Sequence, residues 1–243
     1  MPSAGNGSGR SAEGFGSYSE MSVEKQKTLT EAHKLLRLER ESWQEGFCFV
    51  AGVDEVGRGP LAGPVVAAAV RFPRGVPLPW VFDSKQVSEE GRKEMQQAIL
   101  AVPEVDWAIG SATVEEIDTV NILNATHLAM RRAVEQLREV DFILVDGRPV
   151  KGLPHPSRAV VKGDAKSASI AAASILAKVY RDELMVEMDA RYPGYGFAEH
   201  KGYGTAQHLA ALQKLGVTPI HRRSFRPVRE IIDPPPEQLG LDF

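Results

Sequence analysis

The hydrophobic positions of the chain form short extended runs that alternate with longer amphipathic stretches. Apolar runs cover 47–54 and 64–72, and the glycines and proline between them predict a turn that joins an antiparallel pair of strands. Similar runs at 105–113 and 141–147 predict two more strands. Strands that alternate with helical stretches predict an α/β domain, with a mixed β-sheet flanked by helices.

The stretches between these runs carry helix signals. Residues 22–43 place leucines and an alanine in a rough apolar stripe, and Ser88 stands where it would cap a helix that reaches about Leu100. Further helices are predicted at 114–138 with an interruption near 118–121, at 167–191, where small residues favour close packing on the sheet, and at 206–215.

This pattern predicts five segments. A Gly- and Ser-rich tail is expected to be disordered because it buries too little apolar surface to offset ordering. It is followed by a helix, the main α/β domain, a small helical lobe and a flexible tail that opens with three prolines. The respective boundaries are 1–20, 21–45, 46–191, 192–232 and 233–243.

Composition predicts a cytoplasmic protein without a membrane segment. No apolar stretch is long enough to span a bilayer, and the N-terminus lacks the apolar core of a signal peptide. Cys48 is the only cysteine, so no internal disulfide forms, and its place in the apolar run Phe47–Val50 predicts a buried packing role.

Charge is distributed unevenly along the chain. The net charge is −3, yet residues 146–229 hold 14 Lys and Arg against 7 Asp and Glu. A basic segment in an acidic protein is typical of a local anion-binding face, for example one for a phosphate backbone. An ordinary solvated surface explains the same counts, and composition leaves both interpretations open.

Four acids stand at junctions between apolar runs and turns. Asp54 and Glu55 end one run, Asp146 ends another, and Asp164 precedes the long helix. Each has an ordinary explanation as a solvated or structural group, and Asp164 would serve as a helix N-cap. If the four converge, they carry a charge of about −4, so that some carboxyls stay protonated or cations enter.

Oxygen ligands of this kind suit hard divalent cations such as Mg²⁺, and no Cys–His spacing suggests zinc. The corresponding chemistry is two-metal hydrolysis of a phosphodiester. Side chains alternate along a strand, so Asp54 and Glu55 are expected to reach common ions only if the chain leaves the strand at that point. The six histidines lack ligand spacing and are interpreted as non-ligands; His200 stands near the expected site, where it could carry a proton, but it is not assigned that role.

Long motifs throughout the chain resemble bacterial ribonuclease HII. The resemblance extends from about Gly46 to Val228, with Arg148 and Tyr180 standing where that family usually has Asn and Thr. The matching stretches are DEVGRGPLAGPV at 54–65, DSK at 83–85, VDG at 145–147, VVKGDAKSASIAAASILAKVYRD at 160–182, YPGYGFAEHKGYGT at 192–205 and HRRSFRPV at 221–228.

The resemblance implies a ribonuclease-H-like fold and an endonuclease that cuts RNA in RNA/DNA hybrids and at single ribonucleotides in duplex DNA. It implies Mn²⁺ or Mg²⁺, with two ions per site, and a role in removing ribonucleotides from DNA. Cutting is expected on the 5′ side of the ribonucleotide, leaving a 3′-hydroxyl and a 5′-phosphate. The implied catalytic and metal-binding residues are Asp54, Glu55, Asp146 and Asp164.

The resemblance also implies substrate contacts. Gly57, Arg58 and Gly59 would read the 2′-hydroxyl through the backbone, where the alternative is a simple tight turn. Tyr203 would pack on the sugar after the ribonucleotide, where the alternative is a core tyrosine; Tyr192 and Tyr195 are expected to pack. Phosphate contacts are expected from the set Ser84, Lys85, Lys162, Lys166, Lys178, Arg181, Arg222 and Arg223.

The C-terminal hexapeptide Gln238–Phe243, QLGLDF, resembles peptides that dock on a sliding clamp, and the alternative is a frayed terminus. A monomer is expected. Competing hypotheses are a catalytically silent hybrid-binding module, ribonuclease HIII, and another nuclease of the same fold such as a resolvase or integrase. The absence of a folded N-terminal binding domain disfavours ribonuclease HIII, and the four acids disfavour a mere binder of polyanions.

Overall fold

The computed structural model describes residues 34–76, 78 and 88–234. Several predicted features lie outside these residues: the tail at 1–20, most of the helix at 22–43, Ser84, Lys85 and the hexapeptide Gln238–Phe243. Of the predicted tail at 233–243, only the first two residues are described.

The described residues form a five-stranded mixed sheet flanked by helices, which confirms the predicted α/β architecture. Its strand order is β3-β2-β1-β4-β5. Strands β1, β2 and β3 are antiparallel neighbours, whereas β1, β4 and β5 are parallel. The strands are β1 Val50–Val56, β2 Val65–Arg71, β3 Asp106–Ala112, β4 Phe142–Asp146 and β5 Ser157–Val160.

Helices occupy both faces of the sheet and the C-terminal part of the chain. They are α1 Arg37–Gln44, α2 Glu89–Leu100, α3 Val114–Val134, α4 Ala168–Arg191, α5 Phe197–His200, α6 Ala206–Leu215 and α7 Arg226–Ile232, with a 3₁₀ turn at Gly163–Ala165. Ser88 caps α2 as expected, since its side chain accepts the Gly91 N–H. Ser167 caps α4 in the same way, so Asp164 is not its N-cap.

Helices α3 and α4 cover opposite faces of the sheet and enclose its two apolar cores. The α4 face depends on small residues, as the sequence predicted. A Cβ on Gly52 of β1 would lie 2.3 Å from the backbone nitrogen of Ile170 in α4, so only glycine permits this approach. The long helix is thereby held directly on the central strand.

The predicted interruption of α3 is confirmed at Asn121, which has a non-helical φ of 67°. Its side-chain oxygen accepts the N–H groups of Leu123 and Asn124, so it caps the second half of the helix. A carboxylate in the first half, Asp118, accepts the N–H groups of Arg223 and Ser224. The interrupted helix therefore anchors the C-terminal segment against the sheet domain.

Residues after α4 build a third apolar cluster around Tyr195 and Phe197, and this cluster packs on Leu61 and Met185. The lobe therefore touches the connection between β1 and β2. Within the part of the chain that the structure describes, no helix is long and apolar enough to cross a membrane.

Cys48 is exposed, so its predicted burial is wrong. The apolar run begins before the sheet does: β1 starts only at Val50, and the N–H of Cys48 instead donates to a carboxylate oxygen of Asp141 over 2.6 Å. An apolar run alone does not define where a strand enters the core.

The N-terminal helix α1 is tied to α4 by a buried carboxylate. Glu39 is 2% exposed, and its Oε1 accepts hydrogen bonds from the Ser167 hydroxyl at 2.6 Å and from the Ser169 hydroxyl at 2.7 Å. The Ser169 N–H, at the start of α4, donates to the same oxygen over 3.0 Å. A carboxylate at a helix N-terminus also interacts favourably with the helix dipole.

We expect Glu39→Ala to lower the free energy of unfolding by about 3 kcal/mol, because buried donors on α4 lose their acceptor. Urea denaturation measures this change. The matched control is Glu41→Ala on the same helix, whose carboxylate pairs with Arg37 and Arg158 near the surface; its expected cost is below about 1 kcal/mol. Equal losses in the two variants would contradict the anchoring role.

Candidate active site

Two acids lie side by side because their strands are parallel neighbours. Val53 of β1 is paired with Val145 of β4, so the residues that follow, Asp54 and Asp146, lie next to each other where the pairing of these two strands ends. In α/β sheets this carboxyl-end edge is where ligands bind.

The Asp54 carboxyl is buried and has acidic neighbours. Burial, together with the charges of Glu55 and Asp146, raises the pKa of Asp54 from 3.8 to about 7. The Ser174 hydroxyl on α4 and the Glu55 N–H, which donates to Asp54 Oδ1 over 2.8 Å, partly offset this effect. A carboxyl held in this way gains from a cation beside it.

Glu55 lies on the opposite face of β1, toward α3. Both acids remain in the strand, which continues to Val56, so the departure from the strand that was expected to be required for shared ions does not occur at Asp54 and Glu55. The bend follows at Gly57, where φ is +89°. Burial raises the pKa of Glu55, and its hydrogen bond with Arg58, 3.2 Å from Arg58 Nη1 to Glu55 Oε1, opposes that rise.

Asp146 and Asp164 are connected through Gly163. The Gly163 N–H donates to Asp146 Oδ1 over 2.6 Å, and a Cβ on this glycine would crowd that oxygen at 3.1 Å and Ile170 at 2.7 Å. Asp164 follows directly in the 3₁₀ turn before α4. The turn therefore ties the end of β4 to the fourth predicted acid.

Two cavities meet at Glu55. The larger, of about 510 Å³, has Glu55, Asp146, Arg58 and Arg148 in its wall, together with apolar side chains of α3. The smaller, of about 250 Å³, is lined by Glu55, Asp164 and residues of α2 and α4. Three of the predicted acids thus border this pair of cavities, and the fourth, Asp54, is buried beside Glu55.

The donor set is compatible with a hard cation. All four groups are carboxylates, and burial, reinforced by the charges of Glu55 and Asp146, raises the pKa of Asp54, so a cation beside it would be favoured. Among residues 34–76, 78 and 88–234, no three His, Cys, Asp or Glu side chains form a ready-made metal cluster. Mg²⁺ commonly takes only one or two carboxylates and completes its shell with water and substrate phosphate, so an open arrangement suits it.

A glycine-rich loop follows the two acids of β1, and an exposed tyrosine lies against this loop. Gly59 faces Tyr203 closely enough that an added Cβ would lie 3.4 Å from the ring. Tyr203 is 45% exposed, whereas Tyr195 is buried in the third cluster. The exposure of Tyr203 contradicts its alternative interpretation as a core residue.

The structure overturns two predicted phosphate contacts. Arg181 is 1% exposed and Arg222 is 0% exposed, and both guanidinium groups donate to backbone carbonyls inside the protein. Neither is available to a phosphate. Lys166 and Lys178 are partly or fully accessible, although Lys166 Nζ donates to the Val161 carbonyl and Lys178 pairs with Asp182.

His200 is not placed to carry protons to a substrate. The ring is buried, its Nε2 lies 2.8 Å from the Tyr195 carbonyl oxygen, and its Nδ1 accepts the Gly202 N–H. Both nitrogens are therefore engaged within the lobe.

Residues 51–228 match the family model described as Ribonuclease HII. The chain belongs to the ribonuclease HII family. A protein named Ribonuclease HII from Myxococcus xanthus is 53% identical over 203 residues, covering 83% of this chain and 69% of the relative. One from Chlamydia caviae is 53% identical over 197 residues, covering 80% of this chain and 92% of the relative. The chain is accordingly a ribonuclease H endonuclease, a hydrolase.

Solved structures agree with the fold. Ribonuclease H2 from Pyrococcus horikoshii matches with a TM-score of 0.62 and 27% identity, covering 75% of this chain and 96% of that one. The ribonuclease HII chain of a PCNA complex from Archaeoglobus fulgidus has a TM-score of 0.58 at 21% identity, with coverages of 73% and 95%. Bst-RNase HIII in complex with Mn²⁺ matches with a TM-score of 0.57 and 19% identity, covering 79% of this chain and 71% of that one.

Two residues that orient this ribonuclease HII site were not identified from the sequence. Ser174 bonds the Asp54 carboxyl from the middle of α4, and Gly163 bonds Asp146 through its backbone. Ser174 has no local signal, because a serine among alanines in a helix is common. Gly163 did carry one, since it immediately precedes a candidate acid at a turn.

The raised pKa of Asp54 determines whether its titration increases or decreases the free energy of unfolding as the pH rises. The folded protein retains a proton at Asp54 that the unfolded chain releases between about pH 4 and pH 7, so this group makes stability fall as the pH rises through that window. The neutral amide introduced by Asp54→Asn does not titrate. In chelator, we expect this variant to be more stable than the parent by about 2–4 kcal/mol at pH 8 and nearly equal at pH 4.

Urea denaturation at both pH values measures the difference, with Glu94→Gln as the exposed control that leaves the parent profile unchanged. A variant less stable than the parent at pH 8 would show that Asp54 is not destabilised by its surroundings.

Proposed function

We propose that this ribonuclease HII cuts RNA/DNA hybrids and duplex DNA containing single ribonucleotides, on the 5′ side of the ribonucleotide. The products carry a 3′-hydroxyl and a 5′-phosphate, and the role is removal of ribonucleotides from DNA. The observation that carries the proposal is the set of carboxylates Asp54, Glu55 and Asp146, which the pairing of β1 with β4 brings together beside the glycine loop. Negative charge on this scale has no use in binding a polyanion, so the silent hybrid-binding alternative is disfavoured.

The proposed cofactor is Mn²⁺ or Mg²⁺, held by Asp54, Glu55, Asp146 and Asp164. Two such ions, when bound, supply an activated water and neutralise the leaving oxygen of the phosphodiester. The Mn²⁺ complex of Bst-RNase HIII, a protein of the same fold, supports this assignment.

Residues of the chain position these carboxylates. The Gly163 N–H orients the carboxylate of Asp146, and Ser174 orients that of Asp54. Arg58 neutralises part of the charge of Glu55 and stands at the wall of the larger cavity, beside the expected path of a phosphate backbone.

Substrate recognition is proposed to come from both sides of the loop. Backbone groups of Gly57, Arg58 and Gly59 would contact the 2′-hydroxyl that distinguishes RNA from DNA. The ring of Tyr203, next to Gly59, would cover the following sugar and leave no partner for a second 2′-hydroxyl. Lys166, Ser84 and Lys85 are proposed as phosphate contacts that position the duplex.

We expect Asp54→Asn and Asp164→Asn to lose cleavage by about 10³-fold or more, because each removes a charged ligand. The assay uses a duplex with one ribonucleotide and an all-DNA duplex, each with and without Mn²⁺. Glu94→Gln serves as the control. Full activity of either aspartate variant at saturating metal, or undiminished cleavage after thorough chelation, would end this proposal.

Tyr203 has a matched control in Tyr180, since the two side chains are 45% and 44% exposed. We expect Tyr203→Ala to reduce kcat/KM at a single ribonucleotide about tenfold, which corresponds to the loss of one ring contact. Tyr180→Ala should stay within about twofold of the parent. Similar losses in both variants would remove the specific role of Tyr203.

The proposed protein partner is a sliding clamp, bound through Gln238–Phe243. Glutamine, leucine and a terminal phenylalanine supply anchors for a groove, and a structural neighbour was solved as a complex with PCNA. A monomer is proposed because all four acids belong to one chain, and a cytoplasmic location stays a prediction from the composition.

Deleting the last six residues should abolish retention on the immobilised cognate clamp while leaving cleavage of a short duplex unchanged. A surface-immobilised clamp with the full chain and the truncated chain as analytes measures the retention, and the single-ribonucleotide duplex measures the cleavage. Unaltered clamp binding after truncation would exclude the hexapeptide as the docking element.

A further inference from the structure

Two buried arginines hold the loop that connects β1 to β2. The guanidinium of Arg222 donates to the carbonyl oxygens of Gly57, Arg58 and Gly63 over 2.5, 3.0 and 2.9 Å. Arg181 donates to the carbonyls of Ala62 and Pro64, at 3.1 Å each. Two side chains therefore hold five carbonyls of an eight-residue connection, at positions 57–64.

The same groups join this loop to the segment that carries Tyr203. Arg181 also donates to the carbonyl of Lys201 over 3.0 Å, two residues before the tyrosine. Two backbone hydrogen bonds add to this connection: the Leu61 N–H donates to the Gly202 carbonyl oxygen, and the Arg222 N–H donates to the Leu61 carbonyl oxygen, each over 2.8 Å. The distance between the loop and Tyr203 is thus determined by buried groups on the side of the loop away from solvent, the guanidinium groups of Arg181 and Arg222.

Gly57 shows how closely the arginines fit. A Cβ at this position would lie 2.2 Å from Nε of Arg181, and φ is +89°, so glycine is required there for packing as well as for conformation. Gly59 has a different neighbour, the ring of Tyr203. Gly57 therefore faces the buried arginine, while Gly59 is the glycine that faces the side from which a substrate would come.

Stability alone does not explain this arrangement. Burial, followed by the neighbouring Arg181 charge, lowers the pKa of Arg222 to about 9. Buried charges of one sign are costly, and well-packed apolar residues are often at least as stabilising. What a planar guanidinium adds is direction: its fork of donors defines the orientation of several carbonyls at once.

We propose that Arg181 and Arg222 are positioning residues that set the geometry between the Gly57–Gly59 backbone and the Tyr203 ring, and thereby control binding of a ribonucleotide rather than the rate of hydrolysis. This inference rests on the proposed function. In this arrangement the loop that reads the sugar is held by buried arginines, and the carboxylates that carry out the cleavage are held by other groups.

The test uses the full-length chain, Mn²⁺ and a duplex with one ribonucleotide. Arg222→Lys keeps a basic group of similar length and loses the fork of donors. We expect KM to rise about tenfold, the equivalent of one or two lost hydrogen bonds, while kcat stays within about twofold of the parent. Arg181→Lys should give the same split, because its donors hold the other half of the loop.

The matched control is Arg132→Lys, since Arg132 also uses its fork, on the Ser111 carbonyl and the Glu116 carboxylate, away from the loop. Its KM should remain at the parent value even if it unfolds at a lower temperature. A fall in kcat without a change in KM in Arg222→Lys, or kinetics equal to those of Arg132→Lys, would overturn the proposal.

Hydrogen exchange tests the positioning without any cleavage. We expect the amides of Leu61 and Gly63 to be protected in the parent and to exchange at least about tenfold faster in Arg222→Lys, with the amides of α2 unchanged. Unprotected loop amides in the parent would contradict the proposal even if neither lysine variant folds. If the parent cuts no ribonucleotide-containing duplex, the proposed function fails. Faster amide exchange in Arg222→Lys would then still show that the arginine holds the loop, so the two failures are distinguishable.

Discussion

Repulsion among carboxylates at the end of the sheet is the constraint on which this structure depends. Asp54, Glu55 and Asp146 are held near one another in partly buried surroundings, and burial, reinforced by the charges of the two neighbours, raises the pKa of Asp54 to about 7. Like charges in such surroundings tend to push one another apart. The rest of the fold counters that tendency, and the remaining excess charge is what makes a divalent cation a suitable ligand.

The countering contacts come from several elements. Parallel pairing of β1 with β4 brings the first pair of acids together, and the Gly163 N–H holds the carboxylate of Asp146. Helix α4 then supplies Ser174 to Asp54 because Gly52 lets it lie directly on β1. The start of α4 is in turn held by Glu39 of α1, a residue that lies before the region matched by the family model. The turn that precedes α4 and carries the fourth acid is thus supported from outside that region.

A second group of like charges, of opposite sign, lies behind the glycine loop. Arg181 and Arg222 donate to carbonyl oxygens, whereas Asp146 accepts an N–H and Glu55 pairs with Arg58, so neither group is compensated by an ion pair with the other. The separation has a chemical advantage. A salt bridge between the two groups would neutralise the carboxylates and remove their affinity for a cation.

The sequence by itself determined what depends on neighbouring residues: four of the five strands and most helices from apolar periodicity, and the cap at Ser88 from short-range side-chain chemistry. It also singled out the four acids, as a prediction, from their place at the ends of apolar runs. Tertiary structure alone decided which charged groups are buried and which faces meet. Arg222 resembled a surface phosphate contact, yet its guanidinium bonds a carbonyl 165 positions away, and Cys48 stands in an apolar run whose start lies outside the sheet. The acids on β1 stay in the strand because the bend comes only at Gly57. The surroundings of a long polar side chain depend on segments of backbone that are distant in sequence. The periodicity of apolar residues along the chain therefore does not predict them.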